Sequence, residues 1–232
     1  MRQLGPFDIP EYVSPIRPLL DSPLQKLLAR LTPDVPRTLI ALAGLPGSGK
    51  STLAAHLAAE VNAIAGTGTM AALGMDGFHL PKAALRQMPD PEAAFARRGA
   101  PWTFDVPAPA ARLHELKDAA GRASVGWPGF QHEIGDPVED ALAVAPTTRL
   151  VLVEGLYLLH SEDGWEELGL LWDERWYLDT VLEVAMERLT ERHQTAWGLT
   201  RAEAERRVAA NDRLNAEIVA RTRDRAEWRL AG

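Results

Sequence analysis

Short unbroken apolar runs alternate with longer amphipathic stretches along this chain. Residues 38–43 (Thr-Leu-Ile-Ala-Leu-Ala) and 149–154 (Arg-Leu-Val-Leu-Val-Glu) have the composition of strands buried on both faces. Residues 69–75 and 175–178 give a second and a fourth strand of the same kind, and residues 226–230 an edge strand. Between them the apolar period lengthens to that of a helix. Residues 50–64 are alanine-rich, with Leu53, Leu57 and Val61 on one face. Residues 184–196 form a charged helix, and residues 201–222 another that carries Val208, Leu214, Ile218 and Val219 toward a core. Asp105 is placed to N-cap a helix that runs to residue 119. Strands separated by helical crossovers predict an α/β fold with a doubly wound parallel sheet.

The first 36 residues are dense in proline and hold one helical pattern, residues 23–31, with Leu24, Leu27, Leu28 and Leu31 on a single face. They read as an extension packed on the core, leaving residues 37–232 as a single domain. No internal repeat, low-complexity tract or dividing linker interrupts that domain.

Composition narrows the function classes. The chain of 232 residues is 46% hydrophobic and 25% charged, an ordinary globular balance long enough for a sizeable core. It has no cysteine, which excludes disulfides, thiolate catalysis and cysteine-based zinc sites. A net charge of −7 argues against a polyanion-coating role, so no nucleic-acid partner is expected. The first residues lack a leader pattern and no apolar run reaches membrane-spanning length, giving the expectation of a cytoplasmic protein without a membrane partner.

The chemistry begins where the first strand ends. Gly44, Leu45, Pro46, Gly47, Ser48, Gly49, Lys50 and Ser51 fit G-x-x-x-x-G-K-[ST], between a buried strand and an alanine-rich helix. Glycines let the backbone close around phosphates, and the helix N-terminus adds free amides and a favourable dipole. Lys50 is placed to bridge the β- and γ-phosphates of ATP and Ser51 to bind Mg2+, with Thr52 completing the expected nucleotide contacts. A phosphate cradle alone leaves kinase, switch GTPase and motor ATPase open. None of the four lysines sits in an Asn/Thr-Lys-x-Asp guanine reader, and the strand at 149–154 ends in Glu154-Gly155 rather than Asp-Glu. Both observations favour a kinase.

Several further segments carry a family likeness. They are the phosphate loop, Met75-Asp76-Gly77-Phe78-His79, Arg97-Arg98-Gly99-Ala100-Pro101-Trp102-Thr103-Phe104-Asp105, Trp127-Pro128-Gly129-Phe130-Gln131-His132 with Asp136-Pro137, Glu154-Gly155-Leu156-Tyr157, and Arg188-Leu189-Thr190-Glu191-Arg192-His193. Through these the chain resembles the uridine kinase, phosphoribulokinase and bacterial pantothenate kinase group of P-loop kinases, nearest its fructokinase-like or nucleoside kinase-like branch, over most of residues 38–226.

The resemblance implies an ATP- and Mg2+-dependent transfer of the γ-phosphoryl group to a metabolite hydroxyl. It makes Asp76 the general base, with Phe78, His79 and Tyr157 in the acceptor pocket. It places Glu154 near Mg2+ or the acceptor. Arg97 and Arg98 fall in a segment that folds over the acceptor, where a guanidinium pair suits a carboxylate, a phosphate or vicinal hydroxyls. Trp127, Phe130 and His132 fall where uridine kinases hold the nucleoside, although their Tyr-Asp-Phe-x-x-His spacing is not kept. Arg188 and Arg192 share one helix face by their spacing. With His193 they belong to an implied lid at about residues 186–200 that closes on the γ-phosphate. Asn211, Asp212 and Asn215 are poor helix formers in mid-helix and call for a local cause, either a nearby nucleotide or a kink. A sugar such as fructose, a nucleoside and pantothenate all remain open as acceptors. The expected partner is a small-molecule substrate, with a homodimer as the one assembly considered. The alternative from another class is a nucleotide-dependent regulator or ATPase with no acceptor.

Overall fold

A computed structural model describes residues 17–131 and 134–232. Residues 1–16 of the expected extension lie outside the described residues. The elements in chain order are α1 (Arg17–Ala29), β1 (Thr38–Gly44), α2 (Lys50–Ala65), β2 (Met70–Gly74), α3 (Lys82–Leu85), α4 (Pro91–Ala96), α5 (Pro107–Asp118), β3 (Val125–Gln131), β4 (Asp136–Val144), β5 (Leu150–Gly155), α6 (Glu166–Leu170), β6 (Glu174–Asp179), α7 (Leu182–Trp197), α8 (Arg201–Arg207), α9 (Arg213–Ala220) and β7 (Trp228–Ala231).

Among the described residues, the strands of the main sheet lie in the order β2-β5-β1-β6-β7, all parallel. Every residue of β1 is buried, and its side chains divide between two cores. Leu39, Ala41 and Ala43 join the layer containing α5, α7 and α9, whereas Ile40 and Leu42 join the layer built on α1 and α2. Burial on both faces explains why β1 and β5 read as continuous apolar runs rather than alternating ones. The sheet is doubly wound, as the pattern predicted.

Three expectations are corrected. Asp105 does not cap a helix with its side chain: α5 starts at Pro107, a favoured first position, and no side chain caps it. The helix expected over 201–222 is broken by a π-helical turn, Val208–Asp212, between α8 and α9. Leu214 is 43% exposed rather than core-facing, because the extra residue in that turn changes which positions face the sheet. The pattern also missed the antiparallel pair β3–β4, whose register shifts between Trp127 and Gly129. Pro128 lies in β3, and β4 has a largely exposed run from Glu139 to Ala143, so neither segment shows a strand period.

Two charged groups fasten the bottom of the sheet. Glu174 of β6, 2% exposed, accepts hydrogen bonds from Trp176 Nε1 at 2.7 Å and from Arg30, and pairs with Lys26 at 3.2 Å, tying the α1 end to the sheet. Arg37 is buried just before β1 and donates to the carbonyls of Thr148 (2.9 Å), Leu116 (2.6 Å) and Ala145 (2.7 Å), closing three loop ends at once. Replacing Arg37 by Ala strands these buried acceptors. The expected cost is about 3 kcal/mol, read as a lower denaturation midpoint in urea with an unchanged slope.

Candidate active site

The crevice forms where the C-terminal ends of β1 and β5 lie side by side. The chain leaves β1 toward β2 on one side and leaves β5 toward β6 on the other, the arrangement that opens a ligand crevice in doubly wound sheets. After β1, residues 44–49 turn sharply into α2. Gly47 and Gly49 have φ of 78° and 94°, the left-handed region that favours glycine. A Cβ on Gly47 would lie 2.4 Å from the carbonyl oxygen of Ala185, so α7 packs directly against the loop. The Ser48 carbonyl accepts from Arg188 Nη1 at 3.2 Å and from Thr180 Oγ1 at 3.1 Å. Among the described residues Ser48 Oγ is buried with no hydrogen-bond partner, an atom that a phosphate oxygen can satisfy. The first amides of α2 lack intrahelical partners by helix geometry.

Strand register brings the acidic groups to the same edge. Glu154 pairs with Gly74 of β2, and Asp76 follows two residues later in the short 3-10 turn Met75–Phe78. Ser51 Oγ donates to Glu154 Oε1 at 2.9 Å, and Lys50 Nζ lies 4.0 Å from Oε2. Burial, and then the nearby charge of Asp76, push the Glu154 pKa up, opposed by Lys50 and the Ser51 hydroxyl. The Asp76 side chain itself is 53% exposed. Its turn is clamped from behind. Trp127 Nε1 donates to the Gly74 carbonyl at 2.9 Å, and a Cβ on Gly77 would sit 2.1 Å from the Pro128 carbonyl. His79 Nδ1 lies 2.8 Å from the Asp76 carbonyl, and its ring meets Phe104 and Phe130 with centroids 4.0 Å and 4.9 Å away.

The expected site residues separate into three groups. Lys50, Ser51, Asp76, Glu154 and Arg188 converge on the crevice, with His79 and Phe130 on its rim. A second group supports the walls instead of facing a ligand. Trp127 is fully buried with its ring edge-on to Phe78 at 5.0 Å, and Phe78 is 5% exposed. Tyr157 is fully buried, its hydroxyl donating to the Gly99 carbonyl at 2.7 Å while burial drives its pKa well up. His193 is buried against Asp212, 2.9 Å away, and stacks on Trp197. Arg97 and Arg98 are engaged by protein atoms: Arg97 with Asn211 and Asn215, and Arg98 with Asp136 at 3.0 Å and the Leu80 carbonyl at 3.1 Å. Trp127 Nε1, Tyr157 Oη, His193 Nε2 and the Nη atoms of Arg97 and Arg98 are thus bonded to protein atoms rather than open toward the crevice. The third is Arg192, which is exposed and makes no hydrogen bond or ion pair among the described residues. His132 lies outside the described residues. Thr180, which ties β6 to the loop, had no signal in the pattern, whereas Asn211, Asp212 and Asn215 signalled themselves as misfits in a helix.

No family model matches the sequence. Individual relatives do. A Schizosaccharomyces pombe protein provisionally named as a uridine kinase is 40% identical over 185 residues, 79% of this chain and 78% of its own length. The chain belongs to the uridine kinase-like family of P-loop kinases. An ATP-dependent kinase-like protein of Aspergillus versicolor is 40% identical over 153 residues, 64% of this chain and 88% of that one. The crystal structure of a Silicibacter sp. TM1040 protein, provisionally a fructose transport system kinase, superposes with a TM-score of 0.80 at 35% identity, covering 90% of this chain and 98% of that one.

As a member of this family the protein is an ATP-dependent kinase that uses magnesium. The site fits both. The glycine turns and the unpartnered Ser48 hydroxyl suit a triphosphate, and the Ser51–Glu154 pair supplies hard oxygen ligands. Among the described residues no group of three His, Asp or Glu side chains forms a metal cage. Magnesium held through a few protein oxygens and substrate phosphates needs none. No helix among the described residues is long and apolar enough to cross a membrane.

Gly47→Ala forces both a left-handed backbone and a clash with α7. It is expected to lower stability by about 2 kcal/mol or more before any nucleotide is added, measured by thermal unfolding of the apo-protein.

Proposed function

We propose that the protein transfers the γ-phosphoryl group of ATP to a hydroxyl of an uncharged small metabolite of the sugar or nucleoside class, with Asp76 as the base. The observation that carries this reading is the meeting of Asp76, Glu154, Lys50 and Ser51 at one strand edge. An exposed carboxylate beside a phosphate cradle has a role in transfer to an alcohol that simple nucleotide binding would not require.

Loop 44–52 holds the triphosphate, and Lys50 neutralises charge that spreads over the transferred group. Ser51 and Glu154 would hold magnesium, which offsets phosphate charge and helps fix the γ-phosphoryl geometry. Asp76 accepts or orients the proton of the attacking hydroxyl. Arg188, already on the phosphate loop, and Arg192, four residues along α7, serve a lid over residues 186–200 that excludes water. Residues 37–232 act as one kinase unit with residues 1–36 as its extension.

The preference for an uncharged acceptor rests on Arg97 and Arg98. Both guanidiniums that could have met a substrate carboxylate or phosphate are bound to the protein, while the crevice beside them carries acidic and aromatic groups. The names of the relatives, a uridine kinase and a fructose transport system kinase, point to acceptors of this class.

Asp76→Asn is expected to leave ATP affinity intact and to lower turnover by about 10²–10⁴. Unchanged turnover in an ADP-release assay would take Asp76 out of the reaction. The acceptor class is tested by matched pairs supplied with ATP and magnesium: uridine against uridine monophosphate, fructose against fructose 6-phosphate, and pantothenol against pantothenate. The uncharged member should release ADP faster, and a preference for the anionic member sinks this assignment.

A further inference from the structure

Arg97 stands at the centre of a hydrogen-bonded network that neither nucleotide binding nor phosphoryl transfer accounts for. Its Nη1 donates to Asn211 Oδ1 at 2.7 Å and approaches the carbonyls of Ala210 and Asn211, both at 3.3 Å. Its Nη2 donates to Asn215 Oδ1 at 3.0 Å, and Asn215 is 3% exposed. Asn211 returns a bond from Nδ2 to the Arg98 carbonyl at 2.9 Å. The planar fork of one arginine thus grips two asparagines on a helix, a geometry that lysine cannot reproduce.

The grip depends on the π-helical turn. The carbonyls of Ala210 and Asn211 that Arg97 approaches both belong to that turn. The same turn presents Asp212 to His193 of α7, at 2.9 Å. His193 stacks on Trp197 with centroids 4.5 Å apart, and Arg207 covers the Trp197 ring at 4.2 Å. One irregular turn therefore holds the lid helix through Asp212 and the 97–105 segment through Asn211, with Asn215 of α9 beside it.

On its other side, the 97–105 segment is bonded to the turn that carries Asp76. Gly99 N–H donates to Thr103 Oγ1 at 2.9 Å, Leu80 N–H to the Thr103 carbonyl at 2.9 Å, and Asp105 N–H to the Phe78 carbonyl at 2.9 Å. The path is continuous from Ser48 and Arg188 at the phosphate loop, along α7 to His193, through Asp212, Asn211 and Arg97, and on to residues 78–80.

We propose that Arg97 is a positioning residue that couples the lid helix to the Asp76 turn, so that nucleotide held by the phosphate loop orders the acceptor side before an acceptor arrives. This rests on the kinase reading above, since it needs a nucleotide at the loop and a base at Asp76. Arg97 touches neither. It acts through Asn211 and Asn215.

The test is hydrogen exchange on the full chain, with and without a non-hydrolysable ATP analogue and magnesium, in wild type, Arg97→Lys and Asn215→Ala. In wild type, the analogue should slow exchange in residues 47–52 and also, on the order of tenfold, in residues 97–104, which lie outside the phosphate loop. Both variants should keep the slowing at 47–52 and lose it at 97–104. A merely structural arginine would change exchange in the apo-protein but leave the response to nucleotide intact. Asn215→Ala keeps the test sound if Arg97→Lys folds poorly. Equal slowing at 97–104 in wild type and both variants overturns the coupling while leaving the kinase reading in place. Absence of slowing at 47–52 in wild type removes nucleotide binding, and the coupling with it.

Discussion

Two carboxylates and one ammonium group share a strand edge from which water is partly excluded, and the site is organised around their mutual electrostatics. Glu154 is held by Ser51 and faces Lys50, yet burial and the charge of Asp76 still push its pKa upward. A divalent cation held by Ser51 and Glu154 would offset the repulsion between the two acids. Parallel pairing of β1 with β5 and of β5 with β2 makes the convergence unavoidable, because all three strands end at the same edge.

The surrounding structure keeps that edge rigid. Steric limits contribute, since Gly47 against Ala185 and Gly77 against Pro128 leave no room for a side chain. Hydrogen bonds from large buried groups add to them, with Trp127 on the Gly74 carbonyl and Tyr157 on the Gly99 carbonyl. Trp127 and Tyr157, which look like ligand contacts in the sequence, brace the walls here. Their polar atoms stabilise backbone that would otherwise be buried without partners.

Arginine has a similar structural use. Arg37, Arg97 and Arg98 each bind several acceptors far away along the chain, and the guanidinium fork suits this because its donors are fixed in one plane. Loops that the apolar pattern leaves undefined are thereby pinned to helices and strands that it defines well.

Residues near one another in the chain were legible from the sequence. The runs at 38–43 and 149–154, the glycine spacing of residues 44–51 and the alanine-rich stretch after it settle the strand, the loop and the helix, because each rests on local backbone geometry and burial on both faces. Asp76 and Glu154 were legible as strand-end acids for the same reason. The sequence was silent on whether a conspicuous side chain turns toward ligand or toward protein. The hydrogen-bond partners of Arg97, Tyr157 and His193 include Asn211 and Asn215, Gly99, and Asp212, each 19 or more residues away along the chain. Likewise β3–β4 has a proline and an exposed run where an alternating period would be, so only its packing over the Asp76 turn defines it. Local patterns follow from each residue's own conformational preferences, whereas the partner of a polar side chain is decided by which distant segment the fold brings within hydrogen-bonding range.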